Sequence, residues 1–405
     1  MKELSKAQAG VLAGLVLLCA VTVYPGWKDF SSAPRWMLLS AALPVLAAWA
    51  GLRPSKLAWV LLAFAGASVV WSVVAWEALN GLWTLILLLI SLGLGTKLNS
   101  EGFSLLFVAA ALGLIVNSLS VTAQTAFAFW LPDTPEVRDV AALLQSGPWA
   151  AWVFPAWLHG HPGGLFFNKN MLGEAAALVL CWAAYERRWV LFAGVLPCLV
   201  LTASKGAVAG LLAGAFAAVL PRAWPLAAGA ALGAAWWLNP SSADVRWELW
   251  EATIVGHGAK PWGHGIGQFY ALLPAFLSDT LVSRPDHAHN VFLEALFELG
   301  VLGFAAYVYI AALALVRSSG VHHSLAACLL VLSLVGFPQY TPFALLLGGI
   351  VLGGALHLRG RVCDPELVRQ HAAYPGRVYQ RRAAGNTQWE GVSHELSAAP
   401  RGGRP

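Results

Sequence analysis

Charged side chains are scarce in this chain. Only 11% of its 405 residues are Asp, Glu, Lys or Arg, whereas about 25% is usual for soluble domains. Hydrophobic residues make up 58% of the sequence. This small number of charged groups cannot cover a water-exposed surface. A soluble globular fold is therefore excluded, and an integral membrane protein is predicted. The formal net charge of +5 requires no nucleic-acid partner, and we expect none.

Patterns typical of metal sites and disulfide frameworks are also missing. The five cysteines have no metal-ligand spacing, and none falls in a predicted outside loop. No Asp-x-Asp motif occurs. We therefore expect no disulfide framework, no metal ion and no cofactor. The inverted-repeat pattern of many transporters is not seen either, because no internal repeat is apparent.

Long apolar runs, by contrast, occupy most of the chain. Hydropathy predicts an all-α, polytopic integral membrane protein with about twelve transmembrane helices. The apolar segments lie near residues 9–25, 34–51, 57–76, 81–96, 103–122, 171–185, 189–204, 206–220, 223–238, 291–316, 323–338 and 341–357. Every short loop on one side carries Lys or Arg, so the positive-inside rule places both termini in the cytoplasm and two long loops outside.

This pattern divides the chain into six parts. They are helices 1–5 (residues 1–122), an outside loop with an amphipathic helix (123–168), helices 6–9 (169–238), a large outside loop with most of the polar chemistry (239–290), helices 10–12 (291–358) and a disordered cytoplasmic tail (359–405). The tail is assigned by its composition, which is rich in Arg, Gln, Ala, Gly and Pro and has little apolar periodicity.

One stretch, from residue 284 to residue 303, concentrates groups that bind anions and move protons. Its first seven residues hold a cation, an acid, two histidines and an amide: Arg284, Asp286, His287, His289 and Asn290. A histidine titrates near neutral pH, so His289 can accept a proton from a hydroxyl. Gly300 and Gly303 have the small-x-x-small spacing that lets a second helix approach closely.

The pattern His289-Asn290, nine residues and then Gly300-x-x-Gly303 resembles the signature of the O-antigen ligase and polymerase superfamily. Its members are polytopic membrane glycosyltransferases that move a glycan from a polyprenyl diphosphate carrier, and bacterial protein O-oligosaccharyltransferases share the module. The resemblance implies a multi-pass protein of the bacterial inner membrane with a periplasmic active face. It also implies an undecaprenyl diphosphate-linked glycan donor, contact with membrane lipids and an inverting transfer.

Three further segments carry the resemblance. Asn168–Asn170 is similar to a family motif, and Glu174 follows on the same helical face. Arg246 begins an Arg-x-x-x-Trp pattern like that of the family. Lys205 stands where the family usually has Arg. The lysine ammonium lacks the two-pronged hydrogen bonding of a guanidinium, but its positive charge still complements phosphate.

Transfer from a lipid diphosphate requires cations for the departing diphosphate and an acceptor for the hydroxyl proton. We predict that Lys205, Arg246 and Arg284 bind the diphosphate and that His289 is the base. Because all of these groups lie at one membrane face, a transferase without a metal ion is favoured over a transporter or flippase.

The supporting residues are less narrowly assigned. Asp286 or Asn290 would orient the imidazole, and Asn170 and Glu174 are predicted to support the site. The acceptor also stays open: it is lipid A-core in a ligase, a growing glycan in a polymerase, or a protein.

Two features allow more than one interpretation. Glu294 and Glu298 follow Asn290 at steps of four, and they either buttress the cations or pair near Glu174. The glycine-rich turn 263–269 either presents backbone N–H groups to an oxyanion or, as the resemblance implies, is structural.

Overall fold

The computed structural model describes residues 3–22, 32–130, 164–166, 168–237, 240–277, 287–336 and 338–357. Over these ranges the chain forms fourteen α-helices, short 3-10 turns and no strand. The all-α prediction is therefore confirmed. The helices are α1 (Lys6–Val21), α2 (Ser32–Trp49), α3 (Lys56–Ser68), α4 (Ala75–Gly95), α5 (Ser100–Trp130), α6 (Lys169–Tyr185), α7 (Trp189–Thr202), α8 (Lys205–Val219), α9 (Trp224–Trp237), α10 (Pro240–Ala259), α11 (Phe269–Leu272), α12 (Val291–Arg317), α13 (Gly320–Val335) and α14 (Pro342–His357).

Within the described residues, each of the twelve predicted apolar segments contains a helix. They correspond in order to α1–α9 and α12–α14, and α10 contains residues 244–251, whose spacing had indicated a helix. A helix satisfies its own backbone hydrogen bonds, which is what a long apolar run requires in a dry environment.

In the part of the chain that the structure describes, three helices are long and apolar enough to cross a membrane: Ala75–Gly95, Ser100–Ala126 and Val291–Arg317. Seven further apolar helices in these ranges are shorter. Membrane-helix character is thus supported by length and composition, while the twelve crossings and the six-part division stay predictions. The predicted amphipathic helix of the first outside loop and the predicted tail lie outside the described residues.

Helix α6 lies in the middle of the bundle. Every residue from Leu172 to Ala183 is buried, and the helix packs against α7, α8 and α13. A helix buried on all sides has no polar face, so the carboxylate of Glu174 stands out within it. On the outer helices, large apolar side chains such as Val45 and Leu119 are exposed, which suits a lipid-facing surface.

Arg35 ties the segment before α6 to the bundle. It is buried, donates a hydrogen bond to the carbonyl oxygen of Leu165 at 2.9 Å, and lies 4.3 Å over the ring of Phe166. The side-chain oxygen of Asn117 accepts from the N–H of Leu165 at 3.0 Å. These contacts fix the approach to Asn168, the residue that caps α6.

Helix α12 is broken at Gly300, whose φ of 61° and ψ of −161° are not helical. The carbonyl oxygens of Phe297 and Glu298 accept hydrogen bonds from the backbone of residues 264–265 at 2.9 and 2.8 Å. A Cβ at Gly300 would lie 2.5 Å from the carbonyl carbon of Trp262. The break therefore allows a loop to dock on the helix backbone, and it requires glycine.

Candidate active site at the start of helix α12

Asn290 begins helix α12. Its side-chain oxygen accepts hydrogen bonds from the backbone N–H groups of Phe292 at 3.0 Å and Leu293 at 3.1 Å. This is N-capping, which satisfies two donors that a helix start leaves without partners. The structure thus gives the predicted supporting residue Asn290 a definite task, which is to fix where the helix begins.

His289 directly precedes this cap. Its φ of 51° is in the left-handed region, which residues with a Cβ seldom adopt. The indole Nε1 of Trp250, on α10, donates to the carbonyl oxygen of Ala288 at 3.0 Å. The turn that carries His289 is therefore attached to α10 on one side and to the start of α12 on the other.

His287 and Glu294 interact closely next to this turn. Oε1 of Glu294 lies 3.0 Å from Nδ1 of His287, and Oε2 accepts from the N–H of Ala288 at 3.2 Å. The His287 ring stacks on Tyr340 with a centroid distance of 4.0 Å. Sequence reasoning left the partner of Glu294 open. Helical spacing does not point to His287, because residues 287–290 precede the helix, which begins at Val291.

Arg246 projects from α10 and acts on two of the other predicted site residues. Burial lowers the pKa of Arg246, and the carboxylate of Glu174 raises it. The pKa of His289 is lowered to about 4, chiefly by burial and in addition by the charges of Arg246 and then His287. The structure therefore brings α6, α10 and the turn before α12 together around one cation, and His289 is neutral at pH 7.

Glu174 is 5% exposed and lies against Gly336, where a Cβ would collide with its carboxylate. Its Oε2 atom has no hydrogen-bond partner in the part of the chain that the structure describes. A buried carboxylate is costly unless a positive charge compensates it, and the charge that acts on Glu174 is that of Arg246.

Asn170 and Lys205 lie at two neighbouring helix starts. The Ser204 hydroxyl, directly before α8, donates to Oδ1 of Asn170 in the first turn of α6 at 3.4 Å. A Cβ at Gly173 would lie 2.6 Å from Cβ of Ser204, so the two helix ends are in close contact. Lys205 is exposed at this end of α8. Two positive helix ends and a lysine are thereby placed together.

The glycine-rich turn 263–269 binds groups of the protein itself. The N–H of Phe269 donates to Oε1 of Glu298 at 3.1 Å, and Gly267 also donates to this carboxylate. The N–H groups of residues 264 and 265 donate to carbonyl oxygens of α12. The N–H groups of this turn named here are therefore already used within the protein. The structural interpretation of the turn is therefore favoured, and Glu298 anchors it.

Gly300 and Gly303 were predicted to admit a second helix. A Cβ at Gly300 would meet the backbone of residues 261–262, and one at Gly303 would meet Leu299 and Ala295 of the same helix. Among the described residues, the nearest neighbours of these glycines thus come from a loop and from α12 itself. Packing against a second helix stays a prediction, and so do the roles of Arg284 and Asp286, which lie outside the described residues.

An apolar cavity of about 850 Å³ opens beside the start of α12. Its lining runs along α12 from Val291 to Ala314 and includes Leu88 and Leu92 of α4 and Leu352 of α14. A smaller cavity of about 410 Å³ adjoins it, and its lining includes Glu294, Glu298 and Tyr340.

Among the described residues, long apolar helices, with a cluster of ionisable side chains and an apolar cavity near the start of one of them, have the character of a helical membrane protein. Residues 171–308 match the family model of the O-antigen ligases. The matched region contains Glu174, Lys205, Arg246 and His289 and begins one residue after Asn170. The resemblance to the O-antigen ligase superfamily is thereby confirmed, and a glycosyltransferase of the ligase and polymerase type is supported. No protein of curated function matches the chain.

Proposed function

We propose that this protein is an O-antigen ligase-like enzyme that transfers a glycan from undecaprenyl diphosphate to an acceptor hydroxyl at the periplasmic face of the bacterial inner membrane. The observation that carries the proposal is the position of Arg246, whose charge acts on both Glu174 and His289. A cation for the diphosphate and a neutral imidazole for the hydroxyl proton are therefore available to one substrate.

The diphosphate would be bound where the starts of α6 and α8 meet. Backbone N–H groups and helix dipoles at such ends favour anions. Arg246 can bind two phosphate oxygens with its planar guanidinium, and Lys205 adds a point charge. We include Arg284 as a third cation on the sequence pattern alone. These cations stabilise the negative charge that grows on the leaving diphosphate.

His289 would take the proton of the acceptor hydroxyl. As the hydroxyl oxygen bonds to the anomeric carbon, the bond from that carbon to the diphosphate breaks, and the proton passes to the neutral imidazole. Attack opposite the leaving group inverts the anomeric configuration. Donor binding places negative charge beside Arg246, which offsets the effect of the guanidinium on His289 and raises the pKa of the imidazole towards the working pH.

The isoprenoid tail of the donor would lie in the 850 Å³ apolar cavity. The lining includes Val291 and Phe292, next to the cap of α12, and also Ala314, near the end of the same helix. A lipid whose diphosphate reaches the helix starts could therefore keep its tail in an apolar environment.

The proposed topology has twelve crossings, with both termini in the cytoplasm. It is supported by the common position of the starts of α6 and α8, which alternate crossings would place on one face. The cations are side chains and helix ends, so the proposed reaction needs no metal ion.

The test is a transfer assay with purified protein and a chemically defined undecaprenyl diphosphate oligosaccharide. Lipid A-core, a second lipid-linked repeat unit and an acceptor protein are supplied in separate reactions. We expect glycosylated lipid A-core and released undecaprenyl diphosphate. Product with only the second repeat unit or only the protein would identify a polymerase or a protein transferase of the same superfamily. No product with any acceptor would overturn the proposal.

A further inference from the structure

We propose that Glu294 is a positioning residue of the transfer reaction, which holds the turn 287–289 so that the His289 ring faces the acceptor hydroxyl. This inference rests on the proposed function, because it assumes that His289 takes part in the transfer. It gives Glu294 a role that differs from both interpretations of the sequence, which were support of the cations and pairing near Glu174.

Both oxygens of the Glu294 carboxylate bind this turn. One lies 3.0 Å from Nδ1 of His287 and the other accepts from the N–H of Ala288 at 3.2 Å. Glu294 is only 2% exposed, so water does not compete for these bonds. The Tyr340 hydroxyl also bonds to Glu294, while its ring stacks on His287. The carboxylate therefore organises the residues on the N-terminal side of His289.

The backbone of His289 needs this support. A left-handed conformation of a residue with a Cβ persists only where the surroundings determine it, and such residues occur often at active sites. The Asn290 cap holds the chain after His289. Glu294 and Trp250 hold Ala288, the residue before it, by its N–H and its carbonyl oxygen respectively. Without Glu294, the turn loses the bond that fixes the N–H of Ala288.

Glu294 also selects the tautomer of His287. A carboxylate oxygen accepts hydrogen bonds, so we assign an N–H to Nδ1 of His287, which lies 3.0 Å from Oε1 of Glu294. Glutamine at position 294 keeps the shape and can still accept from Ala288. Its amide NH₂ would then face Nδ1 of His287 and move that proton to Nε2. Glu294→Gln therefore removes part of the support of the turn 287–289, and Glu294→Ala removes all of the support that this side chain gives.

Glu298 provides a matched control on the same helix. It is also buried, at 5% exposure, and lies one turn further along α12. Its carboxylate bonds to Phe269 in the glycine-rich turn, not to the residues around His289. Glu298→Gln keeps an acceptor for that N–H, so it makes the same replacement on α12 and leaves the bonds of the turn 287–289 in place.

The experiment measures kcat and KM for the lipid-linked donor in full-length protein reconstituted in nanodiscs. Displacing a reacting group by about 1 Å can cost about a hundredfold in rate. We therefore expect Glu294→Ala to lower kcat about a hundredfold, Glu294→Gln to lower it less, and both to leave the donor KM nearly unchanged, since the cations are intact. Glu298→Gln should keep the wild-type kcat.

Nitrogen-15 NMR of labelled histidines adds a readout that a general loss of stability would not produce. Glu294→Gln should shift the His287 proton from Nδ1 to Nε2, and Glu298→Gln should not. Wild-type kcat in Glu294→Ala, or an unchanged His287 tautomer in Glu294→Gln, would overturn the inference. If Glu294→Ala does not fold, a wild-type kcat in Glu294→Gln has the same meaning. Failure of the proposed function is distinct, because the wild-type protein itself would then transfer nothing.

Discussion

Arg246 on α10 and His289 before α12 form one electrostatic unit. Burial is the larger cause, but the guanidinium of Arg246 adds to it, and together they lower the pKa of the His289 imidazole to about 4. The buried carboxylate of Glu174 raises the pKa of the same guanidinium. The cation that would bind the donor thus also keeps the proposed base free of a proton before the donor arrives.

Replacing Arg246 should therefore change the titration of His289. Arg246→Gln removes one of the causes that lower the pKa of His289, so this pKa should rise above about 4, while burial keeps it below the ordinary value. We expect the acid limb of kcat/KM, which reports the free enzyme, to move to higher pH. Lys260→Gln is the control, since it removes a positive charge from the segment after α10 that acts on His264. An acid limb that does not move would contradict the electrostatic unit.

Removing the imidazole should abolish measurable transfer. Loss of a general base typically costs a factor of about 10² to 10⁴ in rate. We expect this loss of kcat in His289→Ala, with donor binding retained because the cations remain. Binding of the donor to the detergent-solubilised variant separates the two effects. Wild-type turnover in His289→Ala would remove His289 from the mechanism.

Acid should destabilise the folded protein through His289. Its pKa is about 4 in the folded chain and 6.5 in an ordinary environment, so the unfolded chain takes up the proton first as pH falls. The stabilisation is therefore present above pH 6.5 and is lost as pH falls towards 4. The midpoint of thermal unfolding should fall with pH over this window, and less steeply in His289→Ala. Some slope will persist, because burial also lowers the pKa of His264. Equal slopes in the variant and the wild type would refute the assignment.

The charge at position 205 should determine donor affinity. A hydrogen bond to a charged group contributes about 1.5–3 kcal/mol, so Lys205→Gln should weaken donor binding by about tenfold or more. Lys205→Arg should keep or improve it, since a guanidinium binds phosphate bidentately. Equilibrium binding of the lipid diphosphate is the measurement. Arg53→Gln, at an exposed residue between α2 and α3, is the control, and equal affinities in both glutamine variants would exclude a specific contact.

Gly300→Ala should destabilise the protein. The backbone at Gly300 has a φ of 61°, and an added Cβ would collide with the backbone of residues 261–262. Strain of this kind costs about 1–3 kcal/mol. Gly66→Ala is the matched control, because a Cβ there has no atom within 4 Å and Gly66 is in a regular helix. Thermal unfolding followed by tryptophan fluorescence would measure both. A Gly300→Ala protein as stable as Gly66→Ala would show that the break in α12 does not need glycine.

The helices could be predicted because each apolar run is long and bounded by polar or turn residues. Local composition alone determines that such a segment is helical. The capping roles of Asn168 and Asn290 are also local, and both asparagines directly precede a helix. Sequence reasoning identified the two residues as parts of motifs but not as caps, because it considered Asn290 as a residue that orients the imidazole and Asn168 only as part of a family motif.

The break at Gly300 and the partner of Glu294 could not be predicted in the same way. The small-x-x-small spacing indicates a close approach but not which chain segment approaches, and here it is the loop at residues 261–262. The contact of Glu294 depends on the left-handed turn at His289. For a residue other than glycine, no local pattern signals that conformation, since tertiary contacts impose it.

The docking of residues 264–265 on α12, together with the bond from Trp250 to Ala288, has a consequence for protein engineering. The turn 287–289 is held by α10 and by the first three turns of α12, on which residues 264–265 dock, and Gly300 separates these turns from the rest of the helix. Exchange of specificity between related proteins should therefore transplant residues 240–300 as a single block. A graft that ends at the cap of α12 would combine the loop of one protein with the α12 carbonyl oxygens of another. The hydrogen bonds between loop and helix would then not match, and the turn 287–289 would lose its geometry.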